Sequence, residues 1–234
     1  MTGGGRRVGR AIALALAEAG ADVAVHYNLS GDDAAETASL ARSFGVRAEV
    51  FRADLLDAGS TIRLIDDVAR SLGTVSVLVN NASMFSTGRF QDTSLDEWER
   101  YMAVNVRAPF LLAQAMFREM PAGSHGKVIN LNDWRTARAK RFAYGASKAA
   151  LSGLTRSLAV AMAPNVQVNE LALGAILPPA DLVVVDHAQP QETKLGPAAR
   201  MGTLNEVSAA VLALIENDFI TGETLHIDGG RHIN

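Results

Sequence analysis

The chain of 234 residues is long enough for one well-cored domain, and 48% hydrophobic with 20% charged residues describes an ordinary globular protein. A formal net charge of −3 offers no basic surface for nucleic acid, and the lack of cysteine excludes disulfides and thiolate metal sites. The five histidines show no ligand spacing, so no metal site is expected, and no apolar run approaches the ~18 residues that a membrane helix needs. The partner implied is a small molecule, not nucleic acid or a membrane.

The chain opens on Met1-Thr2-Gly3-Gly4-Gly5-Arg6-Arg7-Val8-Gly9, directly before an amphipathic helix expected over 8–19. Arg6-Arg7 followed by alternating alanine, leucine and isoleucine resembles an export signal. Glu18 interrupts the apolar run and a strand follows at once, so the stretch reads as a helix and the protein as cytoplasmic. Strands are expected at 23–27, 48–52, 75–79, 127–131, 166–171 and 224–227, with helices near 33–44, 58–72, 96–120, 142–163 and 205–216 between them. Such alternation means right-handed βαβ units and a parallel sheet covered on both faces: an α/β, Rossmann-like doubly wound sheet forming a single domain over 1–234. The segment 178–200, opening on Pro178-Pro179, is the least regular and reads as a mobile loop or lid.

Glycines before a helix permit a tight turn and let backbone N–H groups approach a pyrophosphate at the helix N-terminus. A loop of this kind should follow a central strand, yet only Met1 precedes Thr2. The expectation is that this first strand is missing from the chain and that apolar residues lie upstream, which an intact mass matching a chain that starts at Met1 would refute. The end of the next strand, His26-Tyr27-Asn28, carries no acid to accept from a ribose 2′-hydroxyl, and Ser30 and Asp33 fit a helix cap better. Arg6 and Arg7 would attract a 2′-phosphate, which favours NADP(H) over NAD(H).

The remaining chemistry centres on Tyr144 and Lys148, four apart and hence on one helix face. An ammonium beside a phenol favours phenolate and is expected to pull Tyr144 below its ordinary pKa of about 10. Asp133, at the end of an apolar run, is within plausible reach to pass protons on.

These motifs stand together with Asp54-Leu55, Asn80-Asn81-Ala82-Ser83, Asn105 and Asp228-Gly229-Gly230 in the order found in short-chain dehydrogenases/reductases, and the chain resembles that family from end to end. The resemblance implies that Gly3, Arg6, Arg7 and Val8 meet the cofactor phosphates. It places His26, Tyr27, Asn28 and Ser30 at the adenosine end, Asp54 and Leu55 beside the adenine, and Asn81, Ala82 and Ser83 along the cofactor. Asn105 would kink its helix and hold a water near Lys148, which grips the nicotinamide ribose beside Tyr144. Gly174 and Ile176 would make backbone contacts to the carboxamide, although Leu173 replaces the family's usual proline.

Three departures resemble the pteridine reductases and related dihydropteridine reductases. These are Arg7 in place of a glycine, Asp133 in place of the catalytic serine, and Ser83 with Phe85 after the strand at 75–79. In that branch Phe85 stacks a pterin against the nicotinamide, Arg7 and Ser83 touch pterin or phosphate, and Asp133, Tyr144 and Lys148 deliver the proton. The separation of 11 residues between Asp133 and Tyr144 is shorter than the family's usual spacing, at which Leu131 stands instead. The rival readings are a carbonyl reductase acting on a 3-oxoacyl thioester, a sugar or another ketone, and a non-catalytic NADP(H)-binding protein. Helices rich in small residues at 108–120 and 145–163, together with the resemblance, imply a homotetramer or homodimer.

Overall fold

In a computed structural model, residues 1–177 and 195–233 are described. The elements follow as α1 (Arg7–Glu18), β1 (Val23–Tyr27), α2 (Gly31–Arg42), β2 (Ala48–Arg52), α3 (Ala58–Leu72) and β3 (Val77–Asn80). After these come α4 (Leu95–Met102), α5 (Ala108–Glu119), β4 (Gly126–Asp133), α6 (Phe142–Ala161), β5 (Val166–Leu173), α7 (Leu204–Glu216) and β6 (Thr224–Ile227). Among the described residues every strand pairing is parallel: β1 with β2, and β3–β4–β5–β6 in a second sheet.

The apolar spacing explains the layers. Ile12, Ala13, Leu16 and Ala17 recur on one stripe of α1 and pack with α2, α7 and one face of the strands. Leu64, Ile65 and Val68 of α3, Leu112 and Met116 of α5, and Leu158 of α6 fill the other face. The central β4 is buried along nearly its whole length, as a strand covered on both sides must be. Helix starts carry local signals: Asp57 accepts from Gly59 N and Ser60 N, and Thr203 with Glu206 closes a capping box on α7.

Residues 1–4 lie between β1 and β3. Met1 N donates to Ala24 O (3.0 Å), His26 N to Met1 O (3.0 Å), Gly4 N to His26 O (3.1 Å) and Thr2 N to Val79 O (3.0 Å). These few residues therefore occupy the place of a central strand and join the two sheets.

Two expectations are corrected, and a third lies mostly beyond what is described. The single helix expected over 96–120 is split by a π-helical turn at Ala103–Arg107, because Asn105 turns its amide inward to side-chain and backbone partners. Ser30 precedes α2 but makes no side-chain cap hydrogen bond. Most of the segment expected to form a lid, residues 178–194, lies outside the described residues. Its described end packs on the strand-6 turn, with Ala198 N donating to Gly229 O (3.0 Å).

Gly9 is fixed by close approach: a Cβ there would stand 2.1 Å from Gly3 O and 2.7 Å from Asn81 Nδ2. Gly9→Ala is expected to cost about 3 kcal/mol and lower Tm by roughly 10 °C, readable by calorimetry.

Candidate active site

The site is built along the C-terminal ends of the strands, the edge at which open α/β sheets bind ligands. Asn81 clamps the glycine turn, donating from Nδ2 to Thr2 O (2.9 Å) and Gly3 O (3.1 Å). Thr2 Oγ1 accepts from Asn81 N (2.9 Å) and Ala82 N (3.0 Å). Gly3 adopts φ +59°, and Arg7 stands at φ 53°. The arginine thus keeps a backbone conformation suited to glycine, at a cost on the order of 1 kcal/mol. No side chain caps α1 and no acid stands in its first turn, while Arg6 and Arg7 precede or open it. An uncapped helix start behind a glycine turn suits a phosphate. Arg6 also lies 3.5 Å from Asp33 Oδ2.

At the end of β1, Tyr27, Asn28, Leu29, Gly31, Asp32 and Arg52 line a concavity of about 360 Å³. Asn28 Nδ2 donates to Asp54 Oδ1 (3.3 Å), joining the ends of β1 and β2. Leu55 is buried against Val104 and Ala108. His26 is corrected from the adenosine-end contact expected of it. It is 4% exposed, accepts from Gly3 N at Nδ1 (3.1 Å) and donates from Nε2 to Ala53 O (3.0 Å), so it supports the glycine turn from behind. Burial lowers its pKa to about 4.

The chemical end gathers Asp133, Tyr144, Lys148 and Asn105. Asp133 ends β4 and accepts the Tyr144 hydroxyl at Oδ2 (3.0 Å), so the short 11-residue separation still brings the two together. Its Oδ1 accepts from Arg138 Nη2 (2.5 Å) and Arg135 N (2.9 Å). The loop 134–141 that makes this possible lies tightly on α6, where a Cβ at Gly145 would meet Thr136 O at 1.9 Å. Lys148 is buried and donates from Nζ to Leu131 O (2.7 Å). Leu131, at the family's usual acid position, contributes its backbone carbonyl.

Asn105 Oδ1 accepts from Met84 N (2.9 Å) and Ser83 Oγ (3.1 Å), and its Nδ2 donates to Ser147 Oγ (2.9 Å). It ties the turn after β3 to α6. Phe85 stands edge-on to Tyr144, with centroids 4.8 Å apart and planes at 83°. One face of Phe85 carries the Arg141 guanidinium, 3.7 Å from the ring centroid. Gly174 N donates to Ile227 O (2.9 Å), while the Ile176 side chain is buried in the core, leaving its backbone for contacts.

The expected depression of Tyr144 is reversed. Burial first, then the charge and hydrogen bond of Asp133, push the phenol well above its ordinary range, against a smaller opposing pull from Arg138 and Arg141. Lys148 Nζ lies 5.9 Å from the tyrosine ring centroid. Tyr144 is held as a neutral phenol able to give a proton. Sequence reasoning did not single out Arg52, or Arg138 as the partner of Asp133. Arg138 lies among Arg135, Lys140 and Arg141, and a short basic run is a signal too common to locate one partner.

A family model described as enoyl-(acyl carrier protein) reductase matches residues 5–232. The chain belongs to the short-chain dehydrogenase/reductase family. These proteins are oxidoreductases. The 3-oxoacyl-[acyl-carrier-protein] reductase FabG of Aquifex aeolicus is 33% identical over 98% of this chain and 95% of its own. FolM alternative dihydrofolate reductase 1 from Brucella canis, crystallised with NADP, superposes with a TM-score of 0.90 at 36% identity, over 100% of this chain and 93% of its own. A short-chain dehydrogenase from Burkholderia cenocepacia, also in complex with NADP, gives a TM-score of 0.87 at 35% identity, over 98% and 95% of the two chains.

The buried histidine makes stability sensitive to acid. Its folded pKa lies below the ordinary value, so its contribution is present above about pH 6.5 and is lost as pH falls toward 4. Urea unfolding between pH 7 and pH 4 is expected to show a loss to which His26 contributes about 3 kcal/mol, and a His26→Asn variant should flatten that part of the curve.

Proposed function

We propose that the chain is an NADPH-dependent reductase of pteridine type, reducing a C=N bond of a dihydropteridine or dihydrofolate-like substrate. The observation that carries this reading is the Asp133 carboxylate 3.0 Å from the Tyr144 hydroxyl. A carboxylate there can pass protons, whereas the serine usual in the family mainly hydrogen-bonds a carbonyl oxygen. The likeness to FolM over the full chain supports the same reading.

The residues present suit the cofactor. Gly3, Arg6, Arg7 and Val8 would hold its phosphates at the start of α1, with Asn28, Ser30, Arg52, Asp54 and Leu55 at the adenosine end. Asn81, Ala82 and Ser83 would line it, Tyr144 and Lys148 would hold the nicotinamide ribose, and the backbone of Gly174 and Ile176 would meet the carboxamide. NADPH supplies a hydride, which in this chemistry goes to the electron-poor carbon of the C=N bond.

Tyr144 then protonates the nitrogen, and the neutral phenol described above is the form required. Asp133 aims the hydroxyl and is the group through which a replacement proton reaches it. Lys148 opposes the negative charge that develops on the phenol oxygen. Phe85 offers a flat face for a heteroaromatic ring. The planar Arg141 guanidinium stacked there has the N–C–N pattern of a pterin's amino-pyrimidine edge. Arg7 and Ser83 complete the substrate side.

The carbonyl-reductase reading is favoured by the likeness to FabG. Purified protein assayed with NADPH against dihydrobiopterin, dihydrofolate and an acetoacetyl thioester separates the two. Pteridine turnover is expected; turnover of the thioester alone would select the rival, and tight NADPH binding without turnover would select a non-catalytic protein. Tyr144→Phe is expected to lower kcat about 10²–10⁴-fold with NADPH affinity nearly unchanged. Phe85→Ala should raise KM for the pteridine about tenfold, consistent with losing one stacking contact.

The assembly is taken to be a cytoplasmic homotetramer or homodimer. A concavity of about 680 Å³ on the outer face of α4, α5 and α6, lined in part by Trp98, Met102, Phe110 and Leu154, supports self-association through these helices.

A further inference from the structure

Glu170 lies on β5 at 2% exposure, and no step of the reaction above uses it. Its Oε1 accepts from Ser152 Oγ (2.9 Å) and Thr224 Oγ1 (2.7 Å), and its Oε2 accepts from Asn132 Nδ2 (2.9 Å). A carboxylate this deep needs donors or an opposing charge to be tolerated. The donors come from β4, α6 and β6, so one acid ties three elements together at the core of the sheet.

Those donors lead to Lys148. Ser152 is one turn beyond Lys148 on the same face of α6, and Thr155 continues the stripe, its Oγ1 3.4 Å from Glu170 Oε2. Asn132 Nδ2 also donates to Lys148 O (3.1 Å). The helix face that presents Tyr144 and Lys148 to the site is thus bound from below to the Glu170 carboxylate.

Burial drags the Lys148 ammonium down to about 8, while Asp133 and Glu170 resist that fall. Asp133 faces it from the end of β4 and Glu170 from β5, with Tyr144 on its own helix. Asp133, the larger influence of the two, is shared with Arg138 and Tyr144, whereas the donors to Glu170 from Asn132, Ser152 and Thr224 are neutral side chains.

We propose that Glu170 is a positioning residue for Lys148: a buried counter-charge for its ammonium and a tether for the helix face that carries it. The inference rests on Lys148 serving the reaction proposed above.

The chain has lysines only at 127, 140, 148 and 194, so their ¹³Cε signals can be titrated individually by NMR, with Lys148 assigned by its loss in Lys148→Met. Wild-type Lys148 is expected to titrate near pH 8. Glu170→Gln keeps the volume and removes the charge, and should lower that midpoint by about one pH unit. Glu170→Asp keeps the charge and should move it back toward wild type. Because the ammonium is lost as pH rises, the falling limb of kcat/KM for dihydrobiopterin or dihydrofolate should move in parallel.

An unmoved midpoint in the Gln variant, even with a lowered Tm or uniformly lower activity, would show packing alone and overturn the proposal. Should the Gln variant not fold, Glu170→Ala, which leaves room for a water among the same donors, gives the same reading. Retained turnover in Lys148→Met would remove the premise about the reaction. An unmoved midpoint in a protein that Lys148→Met inactivates removes only the role of Glu170.

Discussion

The structure depends on how residues 1–4 join two half-sheets. Four backbone hydrogen bonds run from these residues to β1 and β3, and the Thr2 hydroxyl takes two further N–H groups from the turn after β3. At about 1 kcal/mol each, they amount to a large part of the net stability of a marginally stable domain. The same residues form the glycine turn before α1, the turn proposed above to face the cofactor phosphates. Sheet integrity and cofactor geometry are therefore one constraint, and His26 and Asn81 serve both by gripping the turn from opposite sides.

A second polar layer runs through the middle of the sheet. Asn80 Nδ2 donates to Asn130 Oδ1 (2.8 Å), Asn130 Nδ2 to Thr155 Oγ1 (2.9 Å), and Asn132 and Ser152 converge on Glu170. Parallel strands covered on both faces are ordinarily filled with aliphatic side chains. Polar groups retained there hold one register and one helix rotation, because any slip leaves buried donors unmet. Fixing the rotation of α6 places Tyr144 and Lys148 with respect to β4.

The strands at 23–27, 48–52 and 224–227 and the helix at 58–72 were legible to the residue, since each rests on local apolar periodicity bounded by turn residues or caps. What escaped were features set by contacts distant in sequence. The kink at Asn105 was beyond local periodicity and was implied only by the family resemblance, because the π turn there comes from bonds to Met84 and Ser147. The seat of His26 comes from Gly3 and Ala53, on two other segments. Glu170 sits in an alternating strand where its acid side chain gave no sign of being buried. At the site, residue types and their order were readable, but the field was not. The lysine is visible as a four-residue spacing, but what shifts Tyr144 is burial and the Asp133 carboxylate, opposed by Arg138 and Arg141, all of them set by the folded structure.

That reversal bears on the direction of the chemistry. A tyrosine pulled down to phenolate would be suited to take a proton from an alcohol, the oxidative sense. A tyrosine pushed up by burial and held to a carboxylate rests as the neutral acid, the form that the proposed reduction needs. In the proposed reaction the phenol oxygen, once it has given up its proton, is left beside a carboxylate, and the cations placed to offset this repulsion are the Arg138 guanidinium of the loop and Lys148, 5.9 Å from the ring centroid. Replacing serine by aspartate at the end of β4 is therefore not an isolated change. It needs a cation on each side, and the short loop 134–141 carries one of them to within 2.5 Å of the acid.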